Sequence, residues 1–435
     1  MGALFSGSFE EITIFRAIAM GSIQNRDRLV AITGIGMITP LGVTTGDCWK
    51  NLVEGRSGIQ RITRFDTNSC LTKIGGQIPE IYFEMEKALL SNEIYEQTLY
   101  PSRLSILTAR QALTDSRLSL DHIDREYTGV ITGSGGSSQG DGLVYGRHSK
   151  LNFTSEMLDA HALWVGREFG FGGPSFNVAT ACSSGAFAVG LGVDYVVQTH
   201  QICLVIGIDT MLLKETLEGF SQLLAISESN DYPEKASRPF DKHRNGFVLA
   251  EGACALLLEP YSHAVARKAR IYAVISGYAF TSEAYNIMAP DPEGKAMAET
   301  MSTALENSKT SIDKIGYINA HGTSTVHNDI AETKAIKRVF GEKADIIPIS
   351  SQKSMMGHTI GAAGAIETAV TALSLYHSLI TPTINLEEPD SVCDLDYVPN
   401  HSRKVESLEA AITNSFGFGG HNCCIVLEKT PEELA

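Results

Sequence analysis

The sequence predicts an α/β protein made of two related halves, and three observations carry that prediction. Short β-branched runs alternate with longer helical stretches along most of the chain, the pattern of mostly parallel sheets covered by helices. Two layouts, strand–turn–helix and glycine turn–strand, each occur twice, the mark of an internal duplication. Glycines number 40 in 435 residues, above the usual share of about 7%, and many sit where a strand turns into a helix.

Residues 1–28 contain an apolar stretch but also Glu10 and Glu11 and no basic n-region, which argues against a secretory signal. They are expected to be an N-terminal extension or tag, with Met20 as a possible start. Strands are expected in LVAITGIGMI from Leu29, YTGVITGSGG from Tyr127, QICLVIGIDT from Gln201, ARIYAVISGYAF from Ala269, IGYINAHGTST from Ile315 and ADIIPISSQKS from Ala344. The first echo pairs SFNVATACSSGAFAVGLGVDYVV from Ser175 with IIPISSQKSMMGHTIGAAGAIETAVTALSLY from Ile346. The second pairs RNGFVLAEGACALLLEP from Arg244 with NSFGFGGHNCCIVLEK from Asn414. Between Tyr261 and Ile271 the first pattern ends and the second begins, so an N-terminal half is expected over 29–265 and a C-terminal half over 266–430. No low-complexity linker separates them, which points to one packed body. The run from Gly361 to Ile380 is rich in small residues and interrupted by Glu367; it reads as a buried core helix rather than a membrane span.

Hydrophobic residues make up 43% and charged residues 20%, the balance of a folded globular chain. A net charge of -15 argues against nucleic-acid binding, which relies on dense Lys and Arg patches. Eight cysteines form no C-x-x-C pair and no metal-like spacing with histidine, so neither disulfides nor a metal site is expected, and a cytoplasmic setting fits.

Cys182, in ATACSSG, follows a strand and opens a helix. A thiol at a helix N-terminus meets unpaired N–H groups and the positive end of the dipole, which favour a thiolate nucleophile. The same turn can aim N–H groups at an oxyanion. A buried, inert cysteine is the plainer alternative. His321, in INAHGTST, and His358, in KSMMGHTIGAAG, both lie in glycine-flanked turns after strands. Strand ends in two related halves would meet at the crevice where α/β sheets bind ligands.

ATACSSG, NAHGTST, KSMMGHTIGAAGA and NSFGFGG, in this order, together with VAITGIGMITPLG and ASRPFDKHRNGFVLAEGA, resemble the β-ketoacyl-[acyl carrier protein] synthases of the thiolase superfamily, nearest the long-chain elongating type. The resemblance runs from about Leu29 to about Glu428 and implies a thiolase-like, duplicated five-layer α-β-α-β-α architecture. It further implies that Cys182 carries the acyl chain as a thioester, while His321 and His358 stabilise the enolate left when malonyl-carrier protein loses CO2. Lys353 would supply positive charge, with Glu367, Asp329 and Glu332 in support. The backbone of Cys182 and Phe418 would form the oxyanion hole, and Phe418, between Gly417 and Gly419, would gate the acyl pocket. Thr323 and Thr325 would bind the phosphopantetheine arm that delivers the substrates, with no separate cofactor. Acyl carrier protein is the implied partner, its docking cations sought among Arg103, Arg147, His148 and Lys150, and a homodimer or a heterodimer with a related ketosynthase-like subunit is implied.

Departures from the fatty-acid pattern are Val326 where a proline is usual, followed by His327 and Asn328, and Asn245 where aspartate is common; the stretch from Gly140 to Phe171 fits poorly. FVLAEGA and the HND run resemble ketosynthases of type II polyketide systems, which keeps a polyketide or polyene pathway, working with a chain-length-factor partner, as the alternative. A non-catalytic partner of that kind would lack the cysteine, and a coenzyme-A thiolase would carry a second one in the C-terminal glycine turn; Cys423 and Cys424 lie beyond that turn.

Overall fold

A computed structural model describes residues 29–136 and 157–430. The N-terminal half supplies β1 (Val30–Ile38), β2 (Gly129–Gly133), β3 (Ser175–Val178), β4 (Cys203–Asp209) and β5 (Gly252–Pro260). The C-terminal half supplies β6 (Ala273–Ser282), β7 (Ile315–Asn319), β8 (Ile349–Ser350), β9 (Ala410–Gly417) and β10 (His421–Glu428). Their order is 3-2-4-5-1 in the first half and 8-7-9-10-6 in the second, so each strand of one half has its counterpart five numbers later in the other. The two edges β1 and β6 pair antiparallel, Val30 opposite Ile275, and join the halves into one ten-stranded sheet.

The sheets are mixed rather than mostly parallel. β2 runs parallel to β3 and β4, and β7 parallel to β8 and β9. β5 and β10 run antiparallel to both of their neighbours. Their sequences, GACALLLEP and HNCCIVLE, are near-continuous apolar runs because helices cover both faces, and such a run does not reveal strand direction.

Among the described residues, the helices that bear on the site and its framework are α1 (Tyr100–Asp115), α2 (Ala160–Phe169), α3 (Ser184–Thr199), α4 (Lys214–Gln222), α5 (Lys295–Ser308), α6 (Val326–Phe340) and α7 (Ala363–His377). α1 and α2 cover the outer face of the first half, and α5 covers that of the second with α6 packed on it. α3 and α7 touch each other and strands of both halves. They form the central layer of the expected five-layer α-β-α-β-α stack. α7 is buried at every position from Ala363 to Leu375, and its polar members Glu367, Thr368 and Thr371 are hydrogen-bonded inside the fold. Among the described residues no helix is long and apolar enough to cross a membrane.

Candidate active site

The nucleophile turn follows β3. Its 3-10 turn, Ala181–Ser183, runs directly into α3. Ser184 Oγ accepts from Thr180 N at 2.9 Å and donates to Ala181 O at 2.7 Å, while Ser183 Oγ donates to Thr180 O at 2.8 Å. The small hydroxyl pair after the cysteine thus closes the turn on itself. Ala181, just before the cysteine, is held at φ 51°, in the left-handed region that non-glycine residues seldom occupy. The symmetry-related turn before α7 has Ile360 at φ 47°.

Cys182 is buried, 2% exposed. Burial pushes its thiol up to about 11, against opposing pulls from the Phe418 backbone N–H and the Lys353 charge. Desolvation thus opposes the pull toward a thiolate expected at a helix N-terminus. The seven other cysteines are also buried and free. Cys423 and Cys424 lie in the apolar middle of β10 and are absent from the cavity wall.

His321 follows β7, and His358 follows the short helical turn Lys353–Met356 that succeeds β8. Both rings are about 1% exposed and stand edge to face, with centroids 5.5 Å apart. Burial first, and the nearby Lys353 charge second, hold both imidazoles well below the ordinary histidine range, so they are neutral at pH 7. Their tautomers follow from their partners. Ile360 N donates to His358 Nδ1 at 3.2 Å, and Lys353 Nζ lies 3.4 Å from His321 Nδ1. An ammonium can only donate, so each Nδ1 is an acceptor and each proton sits on Nε2. His358 Nε2 is buried without a partner among the described residues, a donor held ready for a ligand.

Lys353 Nζ also donates to Glu367 on α7, and both side chains are 3% exposed. Burial raises the Glu367 carboxyl to about 7 despite that ammonium. Asp329 and Glu332, three residues apart in the first turns of α6, turn back to the loop that carries His321. Glu332 accepts from His321 N and Gly322 N, both at 2.8 Å, and Asp329 accepts from Thr323 N at 3.1 Å. Asn414 Nδ2 completes the Glu332 shell at 3.3 Å. Asn414 belongs to the NSFGFGG motif, where its position before the glycine turn gives no sign of this contact.

Gly417 lies at the end of β9, where a Cβ would come within 2.9 Å of Thr180 O; only glycine lets this strand end meet the nucleophile turn. Phe418 is half-buried and stacks on Phe220 of α4, centroids 6.1 Å apart. Gly419 and Gly420 follow with φ of 79° and 74°. Thr323 and Thr325 share a hydroxyl–hydroxyl bond of 2.9 Å, and Thr325 Oγ1 caps α6 by accepting from Asn328 N. Cys182, His321, His358, Phe418 and both threonines line one cavity of about 370 Å³. Asn245, Val326 and His327, the departures noted in the sequence, line it too.

One docking expectation changes. Arg103 is 4% exposed and bonded through Nε to Glu86 Oε2 at 3.0 Å and through Nη1 to Thr98 O; it is a core ion pair and offers no surface for docking. Arg147, His148 and Lys150 lie outside the described residues.

A duplicated five-layer α/β fold, with a cysteine at a helix start and two neutral imidazoles facing one cavity, defines a thiolase-like condensing enzyme. The Beta-ketoacyl synthase, N-terminal domain profile matches residues 27–264, and the Beta-ketoacyl synthase, C-terminal domain profile matches residues 272–387. The chain belongs to the beta-ketoacyl synthase family. It is 38% identical over 410 residues to the 3-oxoacyl-[acyl-carrier-protein] synthase 2 of Synechocystis, covering 92% of this chain and 98% of that one. It is 37% identical over 427 residues to the tetracenomycin polyketide synthase ketoacyl synthase alpha subunit of Streptomyces glaucescens, covering 94% and 99%. Among solved structures, a type II PKS acyl-carrier protein in complex with its ketosynthase matches with a TM-score of 0.82 and 32% identity, over 92% of this chain and 99% of that chain.

Proposed function

We propose that this chain is a decarboxylating β-ketoacyl-[acyl carrier protein] synthase of fatty-acid elongation. The observation that carries the reading is the pair of neutral imidazoles that line one cavity with the Cys182 thiol. An acyl group passes from the carrier thioester to Cys182 Sγ, and the thiol proton ends on the departing carrier sulfur. The thioester carbonyl of malonyl-carrier protein then sits on His321 and His358. When the C–CO2 bond breaks, its electron pair moves onto that carbonyl oxygen, and two preorganised donors stabilise the enolate. Neutral donors suit this task, because each holds its proton while charge grows in front of it.

The enolate carbon next attacks the acyl-Cys182 carbonyl. A C–C bond forms, the C–S bond breaks with its electron pair leaving on Sγ, and Sγ takes a proton from solvent, as its raised pKa favours. N–H groups of Cys182 and Phe418 hold the tetrahedral oxyanion, and Phe418, hinged by Gly417 and Gly419, gates the acyl side. Lys353 and Glu367 polarise and orient His321, while Asp329 and Glu332 fix its loop. Thr323 and Thr325 receive the phosphopantetheine arm, so no cofactor besides that arm is required. The protein acts in the cytoplasm as a homodimer or beside a related subunit. The 37% identity to the tetracenomycin alpha subunit supports a second reading, a type II polyketide or polyene ketosynthase paired with a chain-length factor.

The test follows CO2 release and condensation from malonyl-carrier protein and an acyl primer. Cys182→Ala should lose condensation and keep decarboxylation, whereas His321→Ala and His358→Ala should each lose about a hundredfold in decarboxylation, the scale of one deleted oxyanion donor. Equal condensation by wild type and Cys182→Ala sinks the proposal.

A further inference from the structure

Asp209 ends β4 with no exposure to solvent. Oδ1 accepts from Ser134 Oγ at 3.0 Å, while Oδ2 accepts from Gly135 N at 3.0 Å and Gly361 N at 2.6 Å. One carboxylate of the N-terminal half therefore ties the turn after β2 to the turn that opens α7 in the C-terminal half. The fit is close: a Cβ on Gly361 would lie 2.5 Å from Gly135 N and 2.6 Å from Asp209 Oδ2. A carboxylate is well placed there, since it meets free N–H groups and the positive end of α7. Its neighbour in that turn is Ile360, a β-branched residue at φ 47°. Such a conformation persists only where its surroundings over-determine it, and the Asp209–Gly361 bond is one such constraint. Ile360 N is the donor that sits on His358 Nδ1.

We propose that Asp209 is a positioning residue for His358: by clamping Gly361 it holds the Ile360 N–H on Nδ1, and so keeps the Nε2–H of His358 turned to the cavity. Asp209 touches neither substrate nor the reacting atoms and acts through the turn. The inference rests on the decarboxylation reading for its consequence in catalysis, but the ring's tautomer can be measured without any activity. Asp209→Asn separates clamp from charge. An amide oxygen can accept from both N–H groups while its NH2 donates to Ser134 Oγ, so the clamp survives, whereas Asp209→Ala removes it.

The experiment labels histidine with 15N and reads the His358 tautomer from long-range 1H–15N spectra, with His358→Gln for assignment. Malonyl-carrier decarboxylation is measured alongside. Wild type and Asp209→Asn should show the Nε2–H form and kcat values within about threefold of each other. Asp209→Ala should populate both tautomers and lose at least about tenfold in kcat, with KM within about threefold. A residue that only stabilises the fold would lower Tm and leave tautomer and kcat alone. Should Asp209→Ala fail to fold, Ser134→Ala removes the bond to Oδ1, and it should mix the tautomers and lower kcat about threefold. An unmixed Nε2–H signal in Asp209→Ala, or in Ser134→Ala if that is the variant used, overturns the proposal, as do equal kcat losses in Asp209→Asn and Asp209→Ala. A wild type with the Nε2–H form that does not decarboxylate overturns the functional reading and leaves the clamp standing.

Discussion

Replacing Lys353 by methionine separates the stability of the site from its chemistry. The ammonium is bonded to Glu367 and lies 3.4 Å from His321 Nδ1. Its loss strands a carboxylate that is 2% exposed, and breaking a buried pair from one side costs about 3–5 kcal/mol. The cost depends on pH. Glu367 is raised from 4.5 to about 7 even with its partner present, and without it the folded value rises further. A carboxyl whose folded pKa exceeds its unfolded one binds its proton more tightly in the native state, so stability from this group is present below pH 4.5 and is lost as pH rises through the folded value. The variant should therefore be penalised more at pH 8 than at pH 5.5. Lys353→Met with Glu367→Gln leaves no stranded charge and should recover all but about 1 kcal/mol. Catalysis should not recover. An oxyanion held by His321 Nε2 lies about 8 Å from the ammonium, where one unit charge at an effective dielectric of about 20 is worth about 2 kcal/mol. The Glu367 charge offsets part of that, so decarboxylation should fall about ten- to thirtyfold in the single and double variants alike. Urea unfolding at two pH values and CO2 release are the assays. A double variant that decarboxylates like wild type would refute the argument that the lysine charge serves the reaction.

Two further outcomes follow from burial. Alkylation of Cys182 by iodoacetamide should be slow at pH 7 and rise about tenfold per pH unit toward pH 11, because only the thiolate reacts; a plateau reached by pH 8 would contradict a thiol raised to about 11. Arg103→Ala leaves Glu86, 1% exposed, without its ion partner, and should cost about 3–5 kcal/mol in urea unfolding while the KM for carrier protein stays unchanged. A raised KM with unaltered stability would restore Arg103 to the docking surface.

Much of the architecture was legible because the duplication repeats its punctuation. The strand–turn–helix runs around Cys182 and His358 have the same small-residue turns, and the structure places both at starts of the two core helices, α3 and α7. Strand direction was not legible. β5 and β10 are buried on both faces, and a continuous apolar run looks alike whether its neighbours are parallel or antiparallel. In the site, Cys182, His321, His358, Phe418, Thr323 and Thr325 do converge on one cavity, and Lys353 reaches His321 from behind. The burial of Cys182, which opposes the thiolate that a helix start favours, is not visible in sequence. Asp209 went unnoticed for a related reason: an acidic residue at a strand end looks like a solvated turn until the fold brings Gly361 to it from 152 positions away.

The most direct measurement of the central claim is the mass of the protein after incubation with acyl-loaded carrier protein, followed by peptide mapping. One acyl unit should be found, on the peptide containing Cys182 and absent from Cys182→Ala. An unmodified protein, or an acyl group mapped to Cys423, Cys424 or any other residue, would contradict the account.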